Sequence, residues 1–240
     1  MNDSQLPTRP AVLVTGAGGA LGRSVVAALL AAGERVAAVD GRKSSLSMLA
    51  PSQLLSTHSA NLTETAEVDR LFAEVAADAG GPSAVVHLVG GFAYGKLSTF
   101  QDEDWSRLLA VNLETSFRVF RAAARAFESH RGGSLVAVAA PAGLRGEAGF
   151  GVYSACKAAV LRMIESLSRE LAPFGARANA VLPGTMDTPA NRAAMPDVDP
   201  RNWLRTEDLA AVILSLISPA TAAINGAAIP VPEPIVEAKS

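Results

Sequence analysis

AVLVTGAGGALGRSVVAALLAAGERVAAVD, residues 11–40, changes its hydrophobic period twice. AVLVT (11–15) is an apolar run of strand length, TGAGGALG (15–22) is a glycine-rich turn, and ALGRSVVAALLAAG reads as a helix. ERVAAVD (34–40) is a second apolar run. Strand, turn, helix and strand in that order begin a parallel sheet, whose strands are apolar on both faces because helices cover each side. Gly16, Gly19 and Gly22 fall at three-residue spacing in the turn. Glycines there let backbone N–H groups approach a pyrophosphate at a helix N-terminus. Asp40 ends the second strand, 18 positions after Gly22, close to the ~20 expected of a carboxylate that accepts hydrogen bonds from a ribose. That carboxylate would repel a 2′-phosphate, so NAD(H) is favoured; Arg42 and Lys43 follow it and keep NADP(H) possible. Taken singly, the glycines also fit a plain tight turn and Asp40 a turn residue. Their combination carries the nucleotide reading.

The same alternation runs through the chain. QLLSTHSA (53–60) is a weaker strand, and a helix follows over 64–79, capped by Thr63. SAVVHLVGG (83–91) is a strand entering a glycine turn, and 102–130 reads as one long helix begun by acidic residues that suit its dipole. Strands GSLVAVAA (133–140), ARANAVLPG (176–184) and GAAIPV (226–231) alternate with helices over 153–175 and 206–218, the latter with a Thr cap. The expectation is one domain spanning 1–240: a single Rossmann fold, α/β, with a doubly wound parallel sheet of about seven strands and helices on both faces. Residues 184–205 form the one long irregular segment, and such segments are often lids. The tail VPEPIVEAKS is expected to be loosely held.

Composition narrows the class. Of 240 residues, 49% are apolar and the net charge is −2, so a full core can form and nucleic acid is not expected as a partner. The N-terminus MNDSQLPTRP lacks the apolar region of a signal peptide, no run is long enough to span a membrane, and the single Cys156 cannot pair internally. A cytoplasmic protein acting on a small molecule is expected, without a metal.

Tyr153 and Lys157 stand one helical turn apart and share a helix face. An ammonium beside a phenol is expected to stabilise the phenolate, making the tyrosine a general acid or base. The spacing alone also fits a solvated helix face. It is joined by TGAGGALG, Asp40, Asn61-Leu62, Gly90-Gly91, Asn112 in AVNLETSF and Pro183-Gly184 in NAVLPGTMDTP. With these the chain resembles the short-chain dehydrogenase/reductase family from about residue 11 to 231. The resemblance implies a Rossmann domain, a nicotinamide cofactor and a homotetramer or homodimer. It implies that Tyr153 transfers a proton, that Lys157 holds the nicotinamide ribose, and that Asn112 holds a water in a relay with Lys157. Thr188 would reach the carboxamide, Asn61 and Leu62 would flank the adenine, and Gly90 would line the cofactor. Gly16, Gly19, Ala20, Leu21 and Gly22 would form the diphosphate turn, with Pro183 and Gly184 near the nicotinamide.

Three departures stand out. Ala20 occupies a position usually held by glycine. His87-Leu88-Val89-Gly90 replaces the usual Asn-Asn-Ala-Gly, and the histidine reads as packed beside the cofactor. Ala140 stands where the family places a substrate-binding serine, and Ser134 lies too early to replace it. The branch containing quinoid dihydropteridine reductase resembles this chain in its GALG turn, its GGFAYG loop (90–95), its missing serine and the segment DTPANRAAMP (187–196). An enzyme without that serine is expected to reduce an already electron-poor substrate, quinonoid or imine-like. Phe92, Tyr94, Met195 and Trp203 would either line an aromatic pocket or pack the lid onto the body; Arg145 reads as solvated. The alternatives are an ordinary ketone or alcohol dehydrogenase in which Tyr94 or a water replaces the serine, and a non-catalytic dinucleotide-binding protein. Apolar residues on the 102–130 and 153–175 helices suggest pairing between subunits.

Overall fold

The computed structural model describes residues 10–234; the N-terminal stretch before Pro10 and the tail beyond Pro234 lie outside the described residues. Seven parallel strands form one sheet: β1 (Ala11–Thr15), β2 (Val36–Asp40), β3 (Leu55–Ser59), β4 (Pro82–His87), β5 (Gly133–Val138), β6 (Ala176–Pro183) and β7 (Ala228–Val231). Their order is β3-β2-β1-β4-β5-β6-β7. The order reverses between β1 and β4, and ligands of such sheets bind outside the carboxyl ends of the strands at that reversal.

Alternation within the strands divides the core. Leu13, Val39, Val85, Leu135 and Leu182 face one side, where α3 (Thr65–Ala79), α5 (Thr115–His130) and α6 (Gly151–Leu171) cover them through residues such as Leu71, Phe120, Phe127 and Ile164. Val12, Val14, Val36, Val86, Val136 and Val181 face the other, under α1 (Ala20–Ala31) and α8 (Thr206–Ile217). Short helices α2 (Lys43–Leu46), α4 (Asp102–Leu109) and α7 (Pro189–Ala194) decorate the carboxyl-end loops. Among the described residues no helix is long and apolar enough to cross a membrane.

The 102–130 helix is not uniform. Between α4 and α5, residues Ala110–Glu114 form a π turn, in which the Thr115 N–H bonds the Ala110 carbonyl five residues back. Such single-turn insertions occur frequently at functional sites, and Asn112 lies within this one. Neither threonine cap forms. Thr63 donates its hydroxyl to Asn61 Oδ1 (2.8 Å), while Glu67 reaches back to the Asn61 N–H (2.8 Å), so the turn before α3 closes on Asn61. Thr206 is the first residue of α8 and its hydroxyl meets Ser24 on α1 at 2.8 Å.

The segment 184–205 is more ordered than its composition suggests. Met186 bridges Leu204 as in a parallel ladder, and the Asp187 N–H donates to the Leu204 carbonyl (2.8 Å), closing the base of the loop. Within it Arg192 binds Asp187 through two N–H groups (2.6 and 2.8 Å), the Thr188 hydroxyl caps α7 at the Asn191 N–H, and the Asn191 carboxamide donates to the Met186 carbonyl. The Asp-Thr-Pro-x-Asn-Arg part of 187–196 is therefore a local folding unit whose polar residues bind one another. Trp203 is buried, as a residue packing the segment onto the body would be.

Candidate active site

The carboxyl ends of the strands gather the polar residues. At the end of β1 the chain turns through Gly16, at φ +72°, and a Cβ on Gly22 would collide with the Gly16 carbonyl oxygen. Only glycines allow so tight a passage from strand to helix. The α1 helix starts with Gly19 as N-cap, which has no side chain to offer, so the first-turn amides have no capping oxygen from that residue. Asp40, at the end of β2, is oriented by two backbone donors, Gly18 N–H to Oδ2 (3.2 Å) and Arg42 N–H to Oδ1 (3.1 Å). Each carboxylate oxygen keeps a further lone pair. A glycine cradle, an uncapped helix N-terminus and an oriented carboxylate fit the diphosphate and ribose of a dinucleotide.

Next to this turn stands Asn112. Its carboxamide is bound by the loop after β4 and by α4: Nδ2 donates to the Gly91 carbonyl (2.9 Å) and to the Leu108 carbonyl one turn earlier (3.1 Å), and Oδ1 accepts the Gly91 N–H (3.1 Å). A Cβ on Gly90 would lie 3.0 Å from Asn112 Oδ1 and 3.1 Å from Lys157 Nζ. Gly90 thus leaves open the gap between the amide and the ammonium. Lys157, buried, donates to the carbonyl of Val138, the last residue of β5 (3.1 Å). Its Nζ lies 5.7 Å from the centroid of the Tyr153 ring. Burial pulls the Lys157 ammonium down to about 8 and pushes the Tyr153 hydroxyl up to about 12.

That last direction is opposite to the expected activation. Burial raises the phenol and the neighbouring Cys156 adds to it, while Lys157 lies over the ring and gives its hydrogen bond to a carbonyl rather than to the hydroxyl. At neutral pH the tyrosine is a neutral phenol, the form that donates a proton.

Ala140 follows β5 and begins a 3₁₀ turn, Pro141–Gly143, and it is buried. Around Tyr153 the walls are aromatic. The Phe92 ring meets Tyr153 edge-on at 5.1 Å, Phe150 lies 5.6 Å from Phe92, and Tyr94 lies 5.5 Å from Phe150. Phe92 is 54% exposed and Tyr94 67%, so both present surface to solvent. The Gly95 N–H bonds the Gly149 carbonyl (2.9 Å), joining the loop after β4 to the loop before α6. Arg145 is 84% exposed on its side chain, facing Glu147 at 3.6 Å, as a solvated arginine would be.

The remaining sequence-derived candidates lie around this centre with varied surroundings. Asn61 is exposed and closes its own turn through Thr63, whereas Leu62 is buried in the apolar layer. Pro183 ends β6, Gly184 pairs with Val231 (2.9 Å), and Thr188 is the α7 cap. Sequence reasoning did not single out Thr15 and Ser116, which hold His87 on either side at 2.8 and 3.2 Å. The available signal was a polar residue inside the apolar β4 and a serine four positions after Asn112. Nor did it give Glu233 a role; its carboxylate accepts the Thr185 N–H at 2.7 Å.

Comparison with known proteins agrees with this geometry. The short chain dehydrogenase family model matches residues 10–199. A (3R)-3-hydroxyacyl-CoA dehydrogenase of Mus musculus is 33% identical, over 95% of this chain and 97% of its own. The 3-oxoacyl-(acyl-carrier-protein) reductase FabG of Escherichia coli is 30% identical, over 77% of each chain. The structure of a short-chain type dehydrogenase/reductase from Mycobacterium ulcerans superposes with a TM-score of 0.87 at 27% identity, covering 95% of this chain and 90% of that one. The chain therefore belongs to the short-chain dehydrogenase/reductase family and is an NAD(P)-dependent oxidoreductase of that kind.

Proposed function

We propose that this protein is an NAD(H)-dependent reductase of an activated small molecule, quinonoid or imine-like in preference to a plain ketone, with Tyr153 as proton donor. The observation that carries the reading is a neutral, largely desolvated Tyr153 phenol, together with a buried Ala140 at the position to which the resemblance assigns the family's serine and its second hydroxyl. Without that donor a ketone oxygen loses one oriented hydrogen bond as hydride arrives, at a cost of ~2.7–4 kcal/mol in the barrier. An electron-poor conjugated system already delocalises the incoming charge. The exposed Phe92 beside Tyr153, with the exposed Tyr94 on the far side of Phe150, offers flat apolar surface for such a ring.

The dinucleotide supplies the hydride when bound. On this reading the glycine turn from Gly16 to Gly22 and the α1 N-terminus hold its diphosphate, and Asp40 accepts from the adenosine ribose, which favours NAD(H) over NADP(H). Lys157 reaches the nicotinamide ribose, while Asn112 and Gly90 keep the approach to the ammonium open. Tyr153 gives its proton to the reduced substrate. The segment 184–205 serves as a lid hinged on the closed base at Met186 and Leu204. Apolar residues on α5 and α6, including Phe117, Ala124, Met163 and Leu167, interleaved with Arg121, Arg125, Glu128 and Glu170, support pairing with a second copy.

The likeness to a 3-hydroxyacyl-CoA dehydrogenase and a 3-oxoacyl reductase favours a second reading, ordinary carbonyl chemistry. One assay separates the two. NADH and NADPH oxidation is followed with quinonoid dihydropterin, imines, quinones and ketones, for the wild type, Tyr153→Phe and Ala140→Ser. Reduction of the conjugated substrates, lost in Tyr153→Phe, with ketone turnover rising in Ala140→Ser, is the expected result. High ketone turnover by the unmodified protein refutes the preference, and undiminished turnover by Tyr153→Phe refutes the mechanism.

A further inference from the structure

His87 lies at the end of β4, beside Thr15 on one neighbouring strand and Ala137 on the other. It is 2% exposed, with its ring edge-on to Phe120 at 5.5 Å. Both ring nitrogens are in contact: Nδ1 with Thr15 Oγ1 at 2.8 Å, Nε2 with Ser116 Oγ at 3.2 Å. Ser116 also reaches the Asn112 carbonyl at 2.5 Å. All four residues are buried.

The donors and acceptors admit one arrangement. A serine hydroxyl has a single hydrogen, and a carbonyl can only accept, so that hydrogen goes to Asn112. Toward His87 the Ser116 oxygen is then an acceptor, and Nε2 carries the imidazole proton. Nδ1 is left to accept from Thr15. Three hydrogen bonds run in one direction, from the residue before Gly16 to the π turn that holds Asn112. A buried chain of this kind is stable only if every member is satisfied. A merely space-filling histidine would need no particular tautomer and no partner on the helix.

Resting on the reading of Asn112, Tyr153 and Lys157 as the reactive centre, we propose that His87 is a positioning residue. Held as the Nε2–H tautomer between Thr15 and Ser116, it anchors the π turn to the sheet and so sets the Asn112 carboxamide that binds Gly91 and keeps the Gly90 gap open. It touches no reacting atom and acts through Ser116 and Asn112.

Ser116→Ala removes one oxygen and leaves the histidine and its packing in place. With quinonoid dihydropterin and NADH, kcat is expected to fall about ten- to a hundredfold, as for a displaced catalytic group, with the KM for NADH within about twofold of wild type. Imidazole ¹⁵N resonances of the full chain should show Nε2 protonated and Nδ1 bare in the wild type, and the Gly91 amide resonance should move in Ser116→Ala. His87→Asn, which keeps one donor and one acceptor, should recover part of the turnover that His87→Leu loses. An Nδ1-protonated ring, an unmoved Gly91 amide, or unchanged kcat in Ser116→Ala overturns the proposal. The resonance measurements need no substrate. Undiminished turnover in Tyr153→Phe would thus remove the reductase reading while the tautomer and the Gly91 shift still decide this one.

Discussion

Lys157→Met should make the protein more stable at neutral pH and less stable in alkali while abolishing turnover. Lys157 is 5% exposed, and burial lowers its ammonium from 10.5 to about 8. At 1.36 kcal/mol per unit, a displacement of that size corresponds to about 3 kcal/mol of lost stability when the group is charged. The folded pKa lies below the unfolded one. Below about pH 8 both states hold the proton and the whole penalty is present. Between about 8 and 10.5 the unfolded chain holds a proton that the folded chain does not, so stability rises with pH. Methionine keeps the apolar stem and removes the charge, but leaves the Val138 carbonyl without its donor, costing about 1 kcal/mol. The variant should therefore gain about 2 kcal/mol at pH 7 and lose about 1 kcal/mol near pH 10.5, the difference changing sign between. Urea unfolding of both proteins at pH 7, 9 and 10.5 measures it, and groups titrating elsewhere cancel in the difference. A difference that does not vary with pH, or a variant less stable at pH 7, refutes the reasoning.

Three further outcomes follow from the same structure. Burial lowers His87 from 6.5 to about 3, helped by the Lys157 charge, so its contribution is complete above pH 6.5 and is lost as pH falls toward 3. His87→Asn should flatten the acid limb of stability between pH 6 and 4 by about 1.4 kcal/mol per pH unit, and parallel limbs would contradict the assignment. Asp40→Ser removes the charge that opposes a 2′-phosphate and should narrow the NADH-over-NADPH ratio of kcat/KM by about tenfold; an unaltered ratio places discrimination elsewhere. Phe117, 49% exposed on α5 under Arg121, is a surface aromatic suited to helix pairing. Phe117→Asp should shift sedimentation toward the monomer with the far-UV spectrum intact, and an unshifted profile would move the interface off this face.

What the sequence made legible was whatever repeats or is strictly local. Apolar runs such as AVLVT and the amphipathic 153–175 stretch announced strands and helices, because both faces of the sheet must be covered. Gly16 and Gly22 could be read because their backbone contacts lie within one turn. The π turn at 110–114 escaped, since its residues are ordinary helix formers and the insertion is stabilised by Asn112 reaching across to Gly91. The upward push on the Tyr153 phenol was not legible for a similar reason: helix spacing places Lys157 on its face but does not report how deeply the hydroxyl is buried. The 187–196 motif was visible, but its meaning was not. Asp187, Thr188, Asn191 and Arg192 satisfy one another, so their co-occurrence describes a loop's internal architecture before it describes a substrate.

The clasp between Glu233 and Thr185 has a consequence for how the protein is made. Every residue of the nucleotide turn, the Asn112 turn and the Tyr153 helix leaves the ribosome before β7 does. The loop carrying Thr188 closes its own base through Met186 and Leu204, but its start is fastened only afterwards, when Val231 receives the Gly184 N–H and Glu233 the Thr185 N–H. A nascent chain that has emerged as far as α8 already contains the glycine turn, yet the start of this loop still lacks both acceptors. Shortening the chain before Val231 would remove both acceptors for good.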